Sequence, residues 1–518
     1  ESSEADVEVK NVRIYRRAIS DDEELDNNTV DADTSDEMMA LFDENNILGD
    51  TGGVDIDKIR AKVKGVLRIV RANKLDDVYA ENNKKTDFKA DIYFYSPYGK
   101  EYDFILRDCN IRIQGTSSTK YPSKNIRIYC AKGGETLSFT VGGVLDPNGK
   151  NRYSMRPGAI LMNLFCCKSD YSDSSMSLNT GGAKLFNDVF KELGLLTPPQ
   201  RYQYEKGGNS LSAVNIRTAI DGIPIDIFCS ETVDSESEYY GQYNFNNEKS
   251  KSETLFGMTG LDGFTPECPL TLETLNNGEK TCLFQSDSDE DLIANFDKGL
   301  ETNYPDDVKW AGLDEARQNA LKRLFGWIRS CVPAGANPND LSTFKSEKFA
   351  KEIDQYFDKD FILTYYLWTD YFLSVDQRAK NMMLRTWDGL KWYITYYDGD
   401  TQLGKRNDCF LVYVYTTDRD TYDAEASKYA FEGRDSWLWN LVLANLQDDL
   451  KRCAAKLRQV MTNERVLNMF NKEQSGHWSD RAFNKSGELK YIKPAVQVMY
   501  GKLWPFIYAL QGSNISHR

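Results

Sequence analysis

Histidine is nearly missing: the 518 residues hold two, His477 and His517. Ser-His-Asp and Cys-His catalysis and multi-His metal centres are nearly excluded by that count. Any chemistry here works with carboxylates, amides and lysines. Cysteine is sparse, ten in the chain with no pair at C-x-x-C spacing. That is too dilute for a disulfide framework and points to free thiols from a reducing compartment, with one or two bridges as the alternative. Cys166 and Cys167 stand together in an apolar run and read as core. No apolar run approaches the roughly 18–20 residues of a membrane span. The longest, 158–167 and 437–446, are interrupted by Asn163 and Asn440. Basic residues are the minority, 64 Lys and Arg against 79 Asp and Glu, for a formal charge of −15. That balance argues against nucleic acid as the main partner, because counterion release needs clustered Lys and Arg.

Core material is plentiful. Apolar residues are 41% and aromatics 12%, with 30 Tyr and 25 Phe, and the length allows roughly two to four domains or one large two-lobed unit. The chain opens on Glu1 rather than Met, which points to processing or to a longer product. Residues 1–63 read as an acidic N-terminal arm; within it 21–50 carries twelve acids and no base, cannot order itself and would lie against other subunits of an assembly. Asp287, Asp289 and Asp291 resemble a calcium loop, but Leu292 stands where the loop needs Gly and Lys298 where it needs Glu.

From residue 64 the period is that of strands. Residues 66–70 alternate, and 91–95 and 102–106 flank Ser96-Pro97-Tyr98-Gly99 as a hairpin. Two Asn-Ile-Arg-Ile segments follow, with Ile111, Ile113, Ile126 and Ile128 facing a core and Arg112 and Arg127 facing away. Residues 176–194 read as a helix ending at Gly194 before two prolines. Asp221-Gly222 is a hairpin signal between 214–220 and 223–228, and 240–245 would extend that sheet. The stretch 246–304 reads as a polar insertion. Beyond it the period is helical, with stripes through Leu321, Leu324, Phe325 and Ile328 and from Phe349 to Phe372. The expectation is an α+β protein of two lobes, a sheet-rich lobe over 64–304 and a helical lobe over 305–518.

The chemistry concentrates in 374–404. Asp376 and Asn381 form D-x-x-x-x-N at a helix end, and Asp388-Gly389 turns a hairpin whose far end carries Asp398 and Asp400. The hairpin thus brings Asp398 back beside Asn381. Phosphoryl transfer needs this layout: an Asp for the acceptor hydroxyl, an Asn and a later Asp for Mg²⁺, and a cation for the phosphates. Helix and turn capping is the other use such acids have.

The segments Ile111-Arg112-Ile113-Gln114-Gly115-Thr116-Ser117-Ser118, Ser123-Lys124-Asn125-Ile126-Arg127-Ile128, Asp170-Tyr171-Ser172-Asp173-Ser174 and Tyr240-Gly241-Gln242-Tyr243-Asn244-Phe245 resemble motifs of the CotH (spore-coat protein H) kinases over about 64–404. The resemblance implies a reduced, atypical protein-kinase-like fold using ATP and Mg²⁺. It implies Asp376 as the catalytic residue, Lys124, Arg112 and Glu248 on the nucleotide, and Asn381, Asp398 and Asp400 on the metal. Gln114 stands where many members have Arg, and Asn247 where an acid is expected, with Glu248 next to it. The Gln-Gly-Thr-Ser-Ser and Asp-Tyr-Ser-Asp-Ser-Ser segments are similar to a subtype found in virion proteins of tailed bacteriophages. The first functional expectation is therefore a structural tail component of a phage virion, assembled with other virion proteins and retaining a residual nucleotide site. The alternative is an active Mg-ATP-dependent Ser/Thr kinase of this type, secreted or at a bacterial cell surface.

Overall fold

The computed structural model describes Val54, Ile56, Ile59 and residues 63–475, apart from internal stretches of which the longest are 130–137, 140–152, 208–215, 250–255, 258–262 and 403–434. Residues 21–50 of the acidic arm and both histidines lie outside the described residues, as does Asp376, whereas Val54, Ile56 and Ile59 of the arm are buried against Val66 and Phe228.

Eight strands come first: β1 (Gly65–Val70), β2 (Phe88–Tyr95), β3 (Phe104–Gln114), β4 (Asn125–Tyr129), β5 (Ser138–Phe139), β6 (Leu164–Lys168), β7 (Gly222–Ser230) and β8 (Glu238–Asn247). Seven of them close into a barrel in the order β1-β2-β3-β4-β6-β8-β7, and β7 returns to β1. The β1–β7 pair is parallel, Gly65 opposite Ile225, and the other barrel pairs are antiparallel. Two-residue β5 pairs alongside β3. Alternation sends one side chain in two to the lumen. Ile111, Ile113, Ile126, Ile128, Phe165, Cys167 and Phe245 are buried there. Phe94, Phe104, Phe165 and Phe245 stack with centroids 4.6–5.9 Å apart. Each such buried ring contributes roughly 1.5–3 kcal/mol, and together they fill the barrel with side chains. Chemistry on polar groups must therefore sit on the barrel's outer wall.

A second sheet has the order β10-β9-β11-β12, built from β9 (Leu270–Thr274), β10 (Leu300–Tyr304), β11 (Met383–Thr386) and β12 (Tyr393–Thr395). The helices that matter below are α1 (Asp76–Glu81), α2 (Leu178–Glu192), α3 (Pro198–Lys206), α4 (Asp289–Gly299), α5 (Glu315–Cys331), α6 (Glu347–Glu352), α7 (Lys359–Tyr371), α8 (Trp437–Asn445), α9 (Gln447–Val460) and α10 (Asn463–Ser475). Helix α2 carries Phe186 and Phe190, which meet Trp368 and Phe361 of α7 at 5.2 and 5.0 Å. No described helix is long and apolar enough to cross a membrane. The eight described cysteines are buried, and none is bridged to another of them.

The expected two-lobed, kinase-like α+β architecture is corrected by this topology. The N-terminal strands close on themselves through β2–β3 and β1–β7. One buried core runs from Leu67 of β1 through Phe325 of α5 to Phe470 of α10. Two local readings also change. Asp221-Gly222 is no hairpin, because Ala219 bridges Tyr396 and the Tyr396 amide donates to the Thr218 carbonyl at 2.9 Å. That leaves Gly222 to open β7 against β8 and β1. The stretch 246–304 is more than an insertion, since it supplies β9, α4 and β10.

Candidate functional site

The site lies where the outer wall of the barrel meets the second sheet. Lys168 is the last residue of β6, and its parity with Cys166 rather than with Cys167 turns it outward. From the other side comes the β11–β12 hairpin, in which Met383, Leu384 and Arg385 face Thr395, Ile394 and Tyr393. Its turn holds because the Asp388 carboxylate accepts the amides of Leu390 and Lys391 at 2.8 and 3.0 Å, with Gly389 at φ +72°. The hairpin's two ends place Asn381 beside Asp398, and the Asn381 amide donates to Asp398 Oδ2 at 3.3 Å. Lys168 Nζ meets Asp398 Oδ1 at 3.2 Å, with the two side chains 10% and 22% exposed.

Backbone geometry at the site is unusual. Asn381, Asp398 and Asp170 have φ of 53°, 56° and 42°, the left-handed region that L residues other than Asn and Asp rarely visit. Such conformations persist where surroundings over-determine them, and they cluster at functional sites. The Gln377 amide donates to the Asp398 carbonyl at 3.1 Å, and the Gln377 carbonyl accepts the Tyr365 hydroxyl at 2.6 Å. A Cβ on Gly399 would stand 2.1 Å from the Tyr396 hydroxyl, so the residue between the two acids has to be glycine. Asp170 is fixed by amide donors from Asn179 at 3.3 Å and Asn244 at 2.7 Å.

The charges balance locally. Burial pushes the Asp398 carboxyl up, but Lys168, Lys249 and Lys380 outweigh it and hold the group below the usual carboxylate range. Burial works against the Lys168 ammonium too; Asp398, Cys166, Asp400 and Asp170 overcome it and raise the group. Tyr397 lies in the seam, its centroid 5.9 Å from Lys168 Nζ and 4.0 Å from Lys249 Nζ. Lys249 in turn rests on the Glu273 carboxylate, which also accepts the Asn303 amide at 3.1 Å.

The residues singled out from the sequence divide. Asn381 and Asp398 are joined, and the charge of Asp400 is felt at Lys168. Glu248 lies further along the barrel's outer wall, 3.6 Å from Arg127 and close enough to Cys166 to help burial push that thiol up to about 12. Arg112 lies opposite Arg127 in the β3–β4 pair and 3.6 Å from Asp87. Lys124 precedes β4 at the parity of Ile126 and Ile128, which fill the lumen, and its ammonium donates to the Thr119 carbonyl. Burial lowers it. The cation beside Asp398 is thus Lys168, which the sequence reading did not single out. The signal was a lysine closing an apolar strand two residues before Asp170.

Among the described residues, no three His, Cys, Asp or Glu side chains gather at metal-ligand spacing. Mg²⁺ differs from other ions in needing only one or two carboxylates when phosphate oxygens and waters complete its shell. Asp398 offers one such carboxylate beside Asn381, and Asp400 is close enough for its charge to act on Lys168. No protein-family model matches the chain, and no curated protein matches it either.

Proposed function

We propose that the seam between barrel and second sheet binds a phosphate-bearing nucleotide together with Mg²⁺. The observation that carries this is the Lys168–Asp398–Asn381 convergence, an ammonium, a carboxylate and an amide drawn from elements 230 residues apart. Bound Mg²⁺ would neutralise phosphate charge. Asp398 would be its carboxylate ligand, and Asn381 would turn its amide oxygen to the ion. Lys168 would exchange Asp398 for a phosphate oxygen as a charge-assisted donor. Gln377 and Tyr365 would hold the Asp398 backbone fixed throughout.

This reading keeps the chemistry implied by the CotH resemblance and leaves its fold aside. It is a proposal of binding, since Asp376, assigned to orient an acceptor hydroxyl, lies outside the described residues. The virion role rests on motif likeness, with the site neither adding to it nor opposing it. The test is thermal stabilisation by ATP with and without Mg²⁺. Parent protein should be stabilised only when both are present, and Asp398→Ala should keep its fold and lose the effect. Equal shifts in the two proteins would make the convergence purely structural.

A further inference from the structure

Val54, Ile56 and Ile59 are buried in an apolar cluster of their own with Val66 of β1, Phe228 of β7 and Tyr239 of β8, and Tyr95 of β2 packs against it. Val66 alternates with Leu67 and Ile69, which belong to the main core, so this socket lies on the barrel's outer wall. Phe228 and Tyr239 meet within it at 5.2 Å between centroids, edge to face. The Tyr239 hydroxyl also donates to Asp226 at 3.0 Å, which puts the fully buried Lys64–Asp226 pair beside the socket. Between Ile59 and β1 stands Val63, with φ at 56°. A β-branched residue in the left-handed region is an outlier, and such strain persists only where surroundings over-determine it. Val63 is 53% exposed, so its own packing does not hold the turn. The seated side chains of Val54, Ile56 and Ile59 do.

We propose that these three residues are an exchangeable latch whose partner is a second copy of this chain. The latch swings about Val63 and fills the same socket on a neighbouring barrel, which returns its own. Exchange keeps every contact between latch and socket, because the two sockets are identical. It differs from the closed form at the hinge, where each Val63 leaves the left-handed region for the extended one that β-branched residues favour. Short strained hinges promote this outcome. The gain at two hinges is set against the entropy of bringing two chains together, so exchange depends on protein concentration. The latch follows residues 21–50 in the chain, with their twelve acids and no base, and exchange delivers that stretch to the neighbouring copy. The inference stands apart from the nucleotide reading, since it uses none of the residues of that site.

The test is sedimentation velocity on the full chain over a range of concentrations. Parent protein should pass from monomer to dimer as concentration rises. Val63→Gly, which accepts the left-handed turn without steric cost, should weaken dimerisation by about a hundredfold, roughly tenfold at each of two hinges. Val63→Pro, whose ring fixes φ at about −65°, denies the closed turn and should strengthen dimerisation. A mixing experiment separates exchange from ordinary association. Ile59→Asp spoils the latch and Phe228→Ser the socket, so each variant alone should stay monomeric. Mixed, they should form a one-to-one dimer through the intact latch of the second and the intact socket of the first. Parent protein that is monomeric at every concentration, dimerisation indifferent to both Val63 substitutions, or a mixture no more dimeric than its components overturns the exchange.

Discussion

Replacing Lys168 with Met separates a working ion pair from a decorative one. The pair is 3.2 Å long, and its partners are 10% and 22% exposed. Removing one member of a buried pair costs roughly 3–5 kcal/mol, because the other charge stays behind without compensation. Asp398 keeps some solvent and the amide of Asn381, so the lower end, about 3 kcal/mol at pH 7, applies here. The pH dependence is more diagnostic. In the parent, Asp398 is held below its unfolded value of about 3.9. Its contribution is present above that value and fades as pH falls through the folded one. In Lys168→Met burial is opposed by Lys249 and Lys380 without Lys168, so Asp398 is held down less firmly. The variant therefore has less of this acid-sensitive stability to lose as pH falls. The deficit should therefore be widest at pH 7 and narrow as pH falls below about 3.9. On the alkaline side, the raised Lys168 contributes fully below about 10.4 and is lost as pH climbs through its folded value. Urea unfolding followed by tryptophan fluorescence at several pH values measures both limbs. A deficit under about 0.5 kcal/mol at pH 7, the usual scatter of a surface substitution, or one flat with pH, would refute the account of the site.

Two further outcomes follow from buried geometry. Lys64 and Asp226 are fully buried and 2.7 Å apart on the barrel's outer wall, with Gln242 and Tyr239 also bonded to them. Lys64→Met should cost roughly 3–5 kcal/mol and Lys64→Met with Asp226→Leu much less; equal losses in urea unfolding would show no coupling. Gly399→Ala should push its methyl into the Tyr396 hydroxyl, costing roughly 1–3 kcal/mol and displacing Asp398. Mg²⁺-dependent nucleotide binding should fall in that variant and return in part when Tyr396→Phe is added. Unaltered binding in Gly399→Ala would mean that the loop does not position the carboxylate.

Local physics was legible in the chain. Period-two alternation placed Ile111, Ile113, Ile126 and Ile128 on one wall. Ser96-Pro97-Tyr98-Gly99 and Asp388-Gly389 announced the β2–β3 and β11–β12 turns, because those residues supply the required φ within a few positions of each other. The Asn381–Asp398 approach followed from the second turn alone. Barrel closure was not legible. It depends on β1 pairing with β7, whose partners are 160 residues apart, as in Gly65 and Ile225, and no local pattern encodes a strand's distant neighbour. The same reason hid β9, whose partner β11 lies far downstream, and overrode the Asp221-Gly222 signal once Ala219 found Tyr396. Lys168 was hidden likewise. A lysine at a strand end is ordinary in a sequence, and it becomes a site residue only when folding sets a carboxylate from 230 residues away against it in a seam with little water.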